Sequence, residues 1–392
     1  MKKYVALFLV ILLIALTGCT NEQGQPANSA QQNTQVEQSG STTNPAANQA
    51  SGSGSGTAQT AGSTAASSEV PEKLKKPVKI ALVMQLTAGS FYTTQIKGVQ
   101  EQVKAFGGEV KIYDSQNDLA KMAANIELAV NEKVDGILIS HGRADALEPS
   151  VRRALAANIP VVAFDSDLNI PGVTVLDQDD YLLAWKALRK IGEDLRGEGQ
   201  IATIWVAGYA PMEKRQVIIE AAQKRFPNIK EIARFGNATN NTALDTQAQV
   251  EALLTKYPNP GEIDAIFGTW NEFTRGALKA LEQKGRTDIK VYGIDLTDED
   301  LPLMQKEGSP WVAAAATDPS EVGRVQVRLL YQKIGGEDVS DVVFMEPVLV
   351  KKEDLPKEPI KLDDLSKYVP GWGKTNIGWV PWMEQLGKGA AQ

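Results

Sequence analysis

Polar and aromatic side chains follow the short apolar runs of this sequence, at positions from which they could bind a small molecule. Asp165 directly follows one such run and Asp295 follows another, while Arg215 lies near the start of an amphipathic segment. A carboxylate accepts two hydrogen bonds at once, and a guanidinium donates them in a planar fork. The aromatic pair Phe91 and Tyr92 could cover an apolar face. This combination predicts recognition of a small compound that carries hydroxyl groups and an apolar face.

Each of these residues also has an ordinary structural role to weigh. The aromatic pair could pack at the start of a helix, and the two aspartates could cap the turns that follow their strands. The arginine could form a surface ion pair with Glu213, and Trp270 could belong to the core. His141, the one histidine of the chain, is more typical of a capped or exposed loop position than of a ligand contact.

A regular alternation of apolar runs and amphipathic segments begins near Val78 and would position the candidate residues. This periodicity predicts strands at residues 79–84, 110–113, 136–139, 160–164, 173–176, 201–206, 232–235, 265–267, 291–294 and 311–316, and an extended segment at 342–350. It predicts helices at residues 91–106, 119–132, 146–157, 181–195, 212–226, 244–257, 272–284 and 321–334. We therefore expect an α/β fold with two doubly wound parallel-sheet lobes, in which ligands bind beyond the carboxyl ends of the strands.

Composition excludes several classes of function. The net charge of −7, from 41 basic and 48 acidic residues, argues against a nucleic-acid partner. One histidine and one cysteine exclude a zinc site built from these residues and an intrachain disulfide. No glycine-rich phosphate loop occurs at a strand-to-helix turn. We expect neither a metal nor a cofactor.

The N-terminal residues predict export and anchoring. Two lysines precede residues 4–16, which are uncharged and too short to span a bilayer as a stable helix. Leu16-Thr17-Gly18-Cys19 resembles a bacterial lipobox, which implies cleavage before Cys19 and a lipid on its sulfur. Residues 20–68 contain no lysine, arginine or aromatic residue, so we expect a disordered linker that tethers the folded body to the membrane.

Four stretches of the region from about residue 78 to 350 carry a recognisable pattern. They are Lys79-Ile-Ala-Leu-Val with Phe91-Tyr92, Ile159-Pro-Val-Val-Ala-Phe-Asp165, Asn271-Glu272 with Gly276-Ala-Leu-Lys-Ala-Leu281, and Val291-Tyr-Gly-Ile-Asp295. The pattern resembles the ribose-binding type of periplasmic binding protein, the type I solute-binding subunit of sugar ABC importers. That resemblance implies a three-segment hinge between the lobes, a sugar or polyol enclosed as they close, and a monomer that delivers it to a membrane permease.

The resemblance also implies roles for individual residues. It makes Phe91 and Tyr92 a stacking pair and Asp165 the main hydroxyl acceptor of the first lobe, and it places Arg215 where the family has a ligand arginine. The other implied contacts are Trp270 or Asn271, Asp295, and Thr317 or Asp318. Asn241, in a long polar loop, completes the ten candidate ligand-binding residues.

Several positions depart from the family pattern. Gly89-Ser90 stands where Asn-Pro is common, Ser166 replaces an arginine, and Trp270 replaces an asparagine. Thr317 stands where glutamine is often seen. The loss of an arginine and the gain of a tryptophan argue against assuming ribose. A hexose, a methylated or larger sugar, or another polyol fits the sequence as well.

The predicted organisation has five parts. They are a lipoprotein signal peptide (1–18), the lipidated cysteine with its linker (19–76), lobe 1 (77–179 and 318–345), lobe 2 (180–317 and 346–368), and a tryptophan-rich tail (369–392). Trp372, Trp379 and Trp382 of the tail could form an exposed platform. We favour the alternative that they pack back on the body as a strap.

Three other functions compete with sugar delivery. A ligand sensor that signals to a membrane kinase or chemoreceptor would use the same pocket. An extracytoplasmic hydrolase could use Asp165 and Asp295 as paired carboxylates, but no Ser–His or metal constellation supports turnover. The ligand-sensing half of a LacI-like repressor is excluded by the export signal and by the absence of a helix-turn-helix head.

Overall fold

The computed structural model describes residues 68–389, so the predicted signal peptide, Cys19 and most of the linker lie outside the described residues. The strands within this range are β1 (Lys79–Met84), β2 (Glu109–Asp114), β3 (Gly136–Ser140), β4 (Val161–Phe164), β5 (Val173–Asp177), β6 (Glu198–Ile204), β7 (Asn228–Phe235), β8 (Ala265–Gly268), β9 (Lys290–Ile294), β10 (Trp311–Ala316), β11 (Val342–Phe344) and β12 (Val348–Lys351). The helices are α1 (Ser90–Ala105), α2 (Leu119–Asn131), α3 (Ala144–Ala156), α4 (Asp180–Asp194), α5 (Ala210–Arg225), α6 (Thr242–Lys256), α7 (Asn271–Lys284), α8 (Leu301–Gln305), α9 (Pro319–Gly335) and α10 (Met383–Gly389). None of the helices in residues 68–389 is long and apolar enough to cross a membrane.

These elements form two six-stranded sheets, each covered by helices. The first sheet has the order β11-β5-β4-β3-β1-β2 and is parallel throughout. The second has the order β12-β10-β9-β8-β6-β7, and only its edge strand β12 is antiparallel. Strands β3, β4, β5 and β8 are buried at every residue, as expected for strands covered on both faces. The predicted fold of two doubly wound lobes is confirmed.

Two details differ from the sequence-based expectation. The predicted extended segment 342–350 is two strands that belong to different sheets, because the chain crosses between the lobes at residues 345–347. Helices α8 and α10 were not predicted, because five and seven residues are too few to give a helical periodicity.

Three short segments cross between the lobes. One joins β5 to α4, which packs on the second sheet, and another joins β10 to α9, which packs on the first. The third joins β11 to β12. Thr317 Oγ1 donates to Gln178 Oε1 at 2.9 Å, so the first two crossings are tied together.

Helices α1 and α9 pack unusually closely beside the first sheet. A Cβ atom added at Gly98 would lie 1.9 Å from the carbonyl oxygen of Ser320, and one added at Gly323 would lie 2.3 Å from that of Gln95. Only glycine fits at these two contacts. The close packing fixes α9, which starts directly after a crossing segment, against the lobe 1 core.

The residues after β12 form a C-terminal strap (residues 355–386) that contacts both lobes. On lobe 2, Gln305 Nε2 donates to the carbonyl oxygen of Pro356 at 2.8 Å, and Leu362 N donates to Asp298 Oδ1 at 2.7 Å. On lobe 1, the buried carboxylate of Glu321 accepts from Thr375 N at 3.0 Å and from Arg328 Nη1 at 2.9 Å. The strap is therefore bound to both lobes by hydrogen bonds.

The three tail tryptophans have different environments. Trp372 is buried, and its Nε1 donates to the carbonyl oxygen of Leu362 at 2.9 Å. Trp382 is fully buried, and its Nε1 donates to Glu337 Oε1 at 3.1 Å. Trp379 stays 38% exposed. Two of the three rings thus pack back on the body.

We predict that Trp382→Ala lowers the free energy of unfolding by about 3–5 kcal/mol, because truncating a buried aromatic side chain leaves a cavity in the core. The matched substitution Trp379→Ala should cost less than half as much, since that ring is partly in water already. Urea unfolding followed by far-ultraviolet circular dichroism measures both. Equal, small losses for the two variants would contradict the packing of the strap.

Candidate functional site

A cavity lies between the carboxyl ends of the two sheets, with about 360 Å³ of space that holds no protein atoms and is partly open to solvent. Four lining residues come from lobe 1, and these are Phe91, Tyr92, His141 and Gln178. The others come from lobe 2, and these are Val206, Tyr209, Pro211, Met212, Arg215, Ala238, Trp270 and Asp295. The cavity is where the geometry of doubly wound sheets predicts a ligand site.

Five of the ten candidate residues line this cavity: Phe91, Tyr92, Arg215, Trp270 and Asp295. The other five do not. Asp165 is buried outside the cavity lining and accepts from Gln178 Nε2 at 2.7 Å. Asp318 caps the start of α9. Asn271 donates to Ser90 and Asp300, Thr317 donates to Gln178, and Asn241 is exposed. Asp165 and Thr317 both form hydrogen bonds with Gln178, which lines the cavity, so they act on the site by positioning that side chain.

Three residues outside the ten candidates, His141, Gln178 and Tyr209, also line the cavity. His141 does lie in a loop, but it is buried, contrary to the exposed position considered for it. It directly follows β3, and Gln178 directly follows β5. The rule that ligands lie beyond strand ends could have found both residues, had it been applied to every strand.

Aromatic rings form a connected wall around Tyr92. Its ring centre lies 5.9 Å from that of Phe91, 5.2 Å from that of His141 and 5.7 Å from that of Trp270, each in an edge-on arrangement. His141 in turn lies 6.0 Å from Tyr209. Such pairs are favourable beyond their buried area and hold one another in place. The wall joins rings of both lobes.

A chain of hydrogen bonds fixes the tautomer of His141. Gln326 Nε2 donates to the carbonyl oxygen of Ile139, so Gln326 Oε1 accepts from Gln95 Nε2 at 3.2 Å. The amide oxygen of Gln95 then accepts the only proton of the Ser140 hydroxyl at 3.1 Å. Ser140 Oγ must therefore accept from His141 Nδ1, 3.1 Å away. This leaves Nε2 as an unprotonated acceptor at the cavity.

Burial keeps this imidazole neutral. Together with the positive charges of Arg215 and Lys214, it lowers the pKa of His141 to about 3. The ring therefore carries no charge at physiological pH. The His141 ring can offer a ligand one hydrogen-bond acceptor and the edge of an aromatic ring.

Arg215 is the charged centre of the site and is almost completely buried. Its Nε and Nη2 contact Asp180 Oδ1 at 2.9 and 2.8 Å, and its Nη1 donates to the carbonyl oxygen of Thr269. Nη1 also lies 3.8 Å from Asp295 Oδ2. Asp295 Oδ1, in contrast, is buried and has no hydrogen-bond partner among the described residues. Burial raises the pKa of Asp295 to about 7, which the nearby Arg215 charge opposes.

Asp165, Asp177 and Asp180 bring carboxylate oxygens within 4.8 Å of one another, a spacing that would suit a metal ion. Two cations lie among them, however. Lys214 bonds to Asp177 and lies 3.8 Å from Asp180 Oδ2, and Arg215 pairs with Asp180. These side chains supply the positive charge that a metal ion would bring. Burial, and then repulsion by Asp180 and Asp177, raises the pKa of Asp165 and lowers the negative charge further.

Direct hydrogen bonds join the two lobes beside the cavity. Ser90, the first residue of α1, donates from its backbone to Glu272 Oε1 at 3.0 Å and accepts at Oγ from Asn271 Nδ2 at 2.9 Å. Elsewhere, Tyr209 Oη donates to Asn117 Oδ1 at 2.7 Å. These contacts place the lobes in a closed arrangement.

Comparisons of sequence match this architecture. The sequence model of the family described as periplasmic binding protein domain matches residues 80–338. The xylitol-binding protein of Mycolicibacterium smegmatis is 26% identical over 67% of this chain and 74% of its own. The ribose import binding protein of Bacillus subtilis is 26% identical over 69% of this chain and 86% of its own.

Comparisons of structure agree. A sugar ABC transporter protein of Yersinia enterocolitica is 35% identical with a TM-score of 0.80, over 82% of this chain and 98% of its own. The 5-methylthioribose transporter solute-binding protein of Thermotoga lettingae, in complex with 5-methylthioribose, is 35% identical with a TM-score of 0.78, over 82% of this chain and 100% of its own. This chain therefore belongs to the type I periplasmic binding proteins, the sugar-binding subunits of ABC transporters.

Proposed function

We propose that this protein captures a sugar or polyol in the cavity between its lobes, and that a lipid on Cys19 holds it at the membrane beside its permease. The observation that carries the proposal is Asp295. Its Oδ1 is buried, lacks a partner among the described residues, and belongs to a side chain of the cavity wall. A buried polar atom without a partner costs about 1–3 kcal/mol, which a ligand hydroxyl would recover.

The remaining groups of the wall suit the same ligand. The Tyr92 hydroxyl and Trp270 Nε1 have no hydrogen-bond partner among the described residues and can meet further ligand oxygens. The rings of Phe91 and Tyr92 can cover an apolar sugar face. Arg215 holds its carboxylate partners in place and has N–H groups left to donate.

What the relatives bind supports this class of ligand. The named ligands of three of them are xylitol, ribose and 5-methylthioribose, all polyhydroxylated molecules. The cavity is built from the residues of one chain, so a monomer is sufficient for binding. The paired-carboxylate hydrolase finds no support, because Asp165 does not line the cavity that Asp295 faces. A sensor would use the same closed lobes and differ only in its membrane partner.

We predict that isothermal titration of the protein with ribose, 5-methylthioribose, xylitol, allitol and glucose gives saturable binding to at least one of them. The same ligand should raise the thermal midpoint, since a ligand at 100 times its Kd stabilises the folded state by about 2.7 kcal/mol. Heat-denatured protein serves as the control. No heat and no thermal shift with any of these compounds would contradict the proposal.

We predict that affinity for that ligand falls as the pH is lowered from about 8 to 5, because an ionised Asp295 is the better hydroxyl acceptor and its pKa lies near 7. Asp295→Asn should bind more weakly at pH 8 and show a flatter pH profile. The exposed Asp145→Asn is the matched control and should behave like the wild type. An unchanged pH profile in Asp295→Asn would contradict the assigned role.

We predict that Cys19→Ser moves the full-length protein from the membrane fraction to the soluble fraction and abolishes labelling by palmitate, because the thiol that carries the lipid is lost. Immunoblots of fractionated cells measure the first effect. Ser29→Ala, in the same predicted linker, should leave both unchanged. Membrane retention of an unlabelled Cys19→Ser protein would argue against the lipid anchor.

A further inference from the structure

We infer that the preferred ligand is a small sugar in which an apolar group replaces one hydroxyl, and that this group lies against one side of the cavity. The inference rests on the proposed function and specifies its ligand. The surface concerned, called here the apolar wall, consists of Val206, Pro211, Met212 and Ala238. All four belong to lobe 2, in the segments that follow β6 and β7.

The apolar wall offers little to a ligand hydroxyl. Its side chains carry no oxygen or nitrogen, and Pro211 has no backbone N–H. The carbonyl oxygen of Met212 already accepts from Trp205 Nε1 at 2.7 Å, and that of Ala238 accepts from Asn117 Nδ2 at 3.5 Å. A hydroxyl placed here would lose water without gaining a good partner, which is unfavourable.

The polar lining residues are largely committed to the protein itself. Gln178 uses its amide oxygen for Thr317 and its amide nitrogen for Asp165. Tyr209 donates its hydroxyl proton to Asn117. Arg215 spends three N–H groups on Asp180 and Thr269.

The hydrogen-bonding capacity that remains for a ligand therefore belongs to a few polar groups of the cavity lining. The acceptors are the Asp295 carboxylate, His141 Nε2 and the Tyr209 hydroxyl oxygen, the donors are the Trp270 indole, two N–H groups of Arg215 and one of Gln178, and the Tyr92 hydroxyl can act as either. These groups suffice for the hydroxyls of a pentose. None belongs to the apolar wall, so the part of the ligand that faces this wall needs no hydroxyl.

Contacts between the lobes also favour a compact ligand. Ser90 N of lobe 1 donates to Glu272 Oε1 of lobe 2 at 3.0 Å, and Tyr209 Oη of lobe 2 donates to Asn117 Oδ1 of lobe 1 at 2.7 Å. A ligand that lies between these contacts has the apolar wall on its lobe 2 side.

The test compares D-ribose, 5-deoxy-D-ribose and D-glucose by isothermal titration. We expect the deoxy sugar to bind at least tenfold more tightly than D-glucose and more tightly than D-ribose, since a ligand hydroxyl buried against the apolar wall without a partner weakens binding by about 5–150-fold. The near-isosteric Val206→Thr adds a hydroxyl to the apolar wall. It should reduce the preference for 5-deoxy-D-ribose over D-ribose by about tenfold.

Val217→Thr is the matched control, because that valine is exposed and does not line the cavity. The preference of this variant for 5-deoxy-D-ribose over D-ribose should equal that of the wild type. Comparing preferences between variants also cancels the ring-form equilibrium of the free sugars, which differs between the two pentoses.

Two outcomes separate this inference from the function on which it rests. If D-ribose or D-glucose binds as tightly as 5-deoxy-D-ribose, or if Val206→Thr leaves the preference unchanged, the inference is overturned and sugar capture stands. If none of these sugars, nor any of the polyols and sugars named above, binds at all, both are overturned.

Discussion

The polar half of the site depends on one buried cation, the guanidinium of Arg215. A charge without water must be paired, and here three loops of lobe 2 supply the partners. Asp180 lies at the start of α4, Thr269 follows β8 and Asp295 follows β9. One side chain therefore sets the relative positions of a crossing segment and two strand ends. Because all of these groups belong to lobe 2, their arrangement does not require contact with lobe 1.

Lobe 1 contributes a different chemistry. Its share of the cavity lining is uncharged and, apart from Gln178, aromatic, and its one histidine is fixed as a neutral acceptor by buried amides of α1 and α9. Those two helices can supply adjacent amides because Gly98 and Gly323 let their backbones approach. A close-packed helix pair thus determines which nitrogen of His141 faces the cavity. Lobe 2 carries the charge, the apolar wall and the rings of Tyr209 and Trp270, and lobe 1 adds the rings of Phe91, Tyr92 and His141.

Much of this was predictable from sequence, and the limits have physical causes. The alternation of apolar runs and helices predicted both sheets, and the strand-end rule led to Phe91, Arg215 and Asp295. The same rule could not tell Asp165, which turns behind the wall toward Gln178, from Asp295, which faces the cavity. Both follow a buried strand, and only tertiary contacts separate them. The tautomer of His141 was beyond reach, since it depends on residues distant in sequence.

The C-terminal strap adds a constraint on how such lobes can move. Three crossings near the sheet edges would act as a simple hinge, but the strap connects lobe 2, through Asp298, to lobe 1, through Glu321. Each connection is a hydrogen bond to a carboxylate. Trp382, which follows the second connection in the sequence, is buried. An opening that keeps these hydrogen bonds must therefore be absorbed in the short stretch between Trp372 and Thr375. Gly373, whose φ of 106° few other residues adopt, lies within this stretch, so the strap is most deformable where it passes from one lobe to the other.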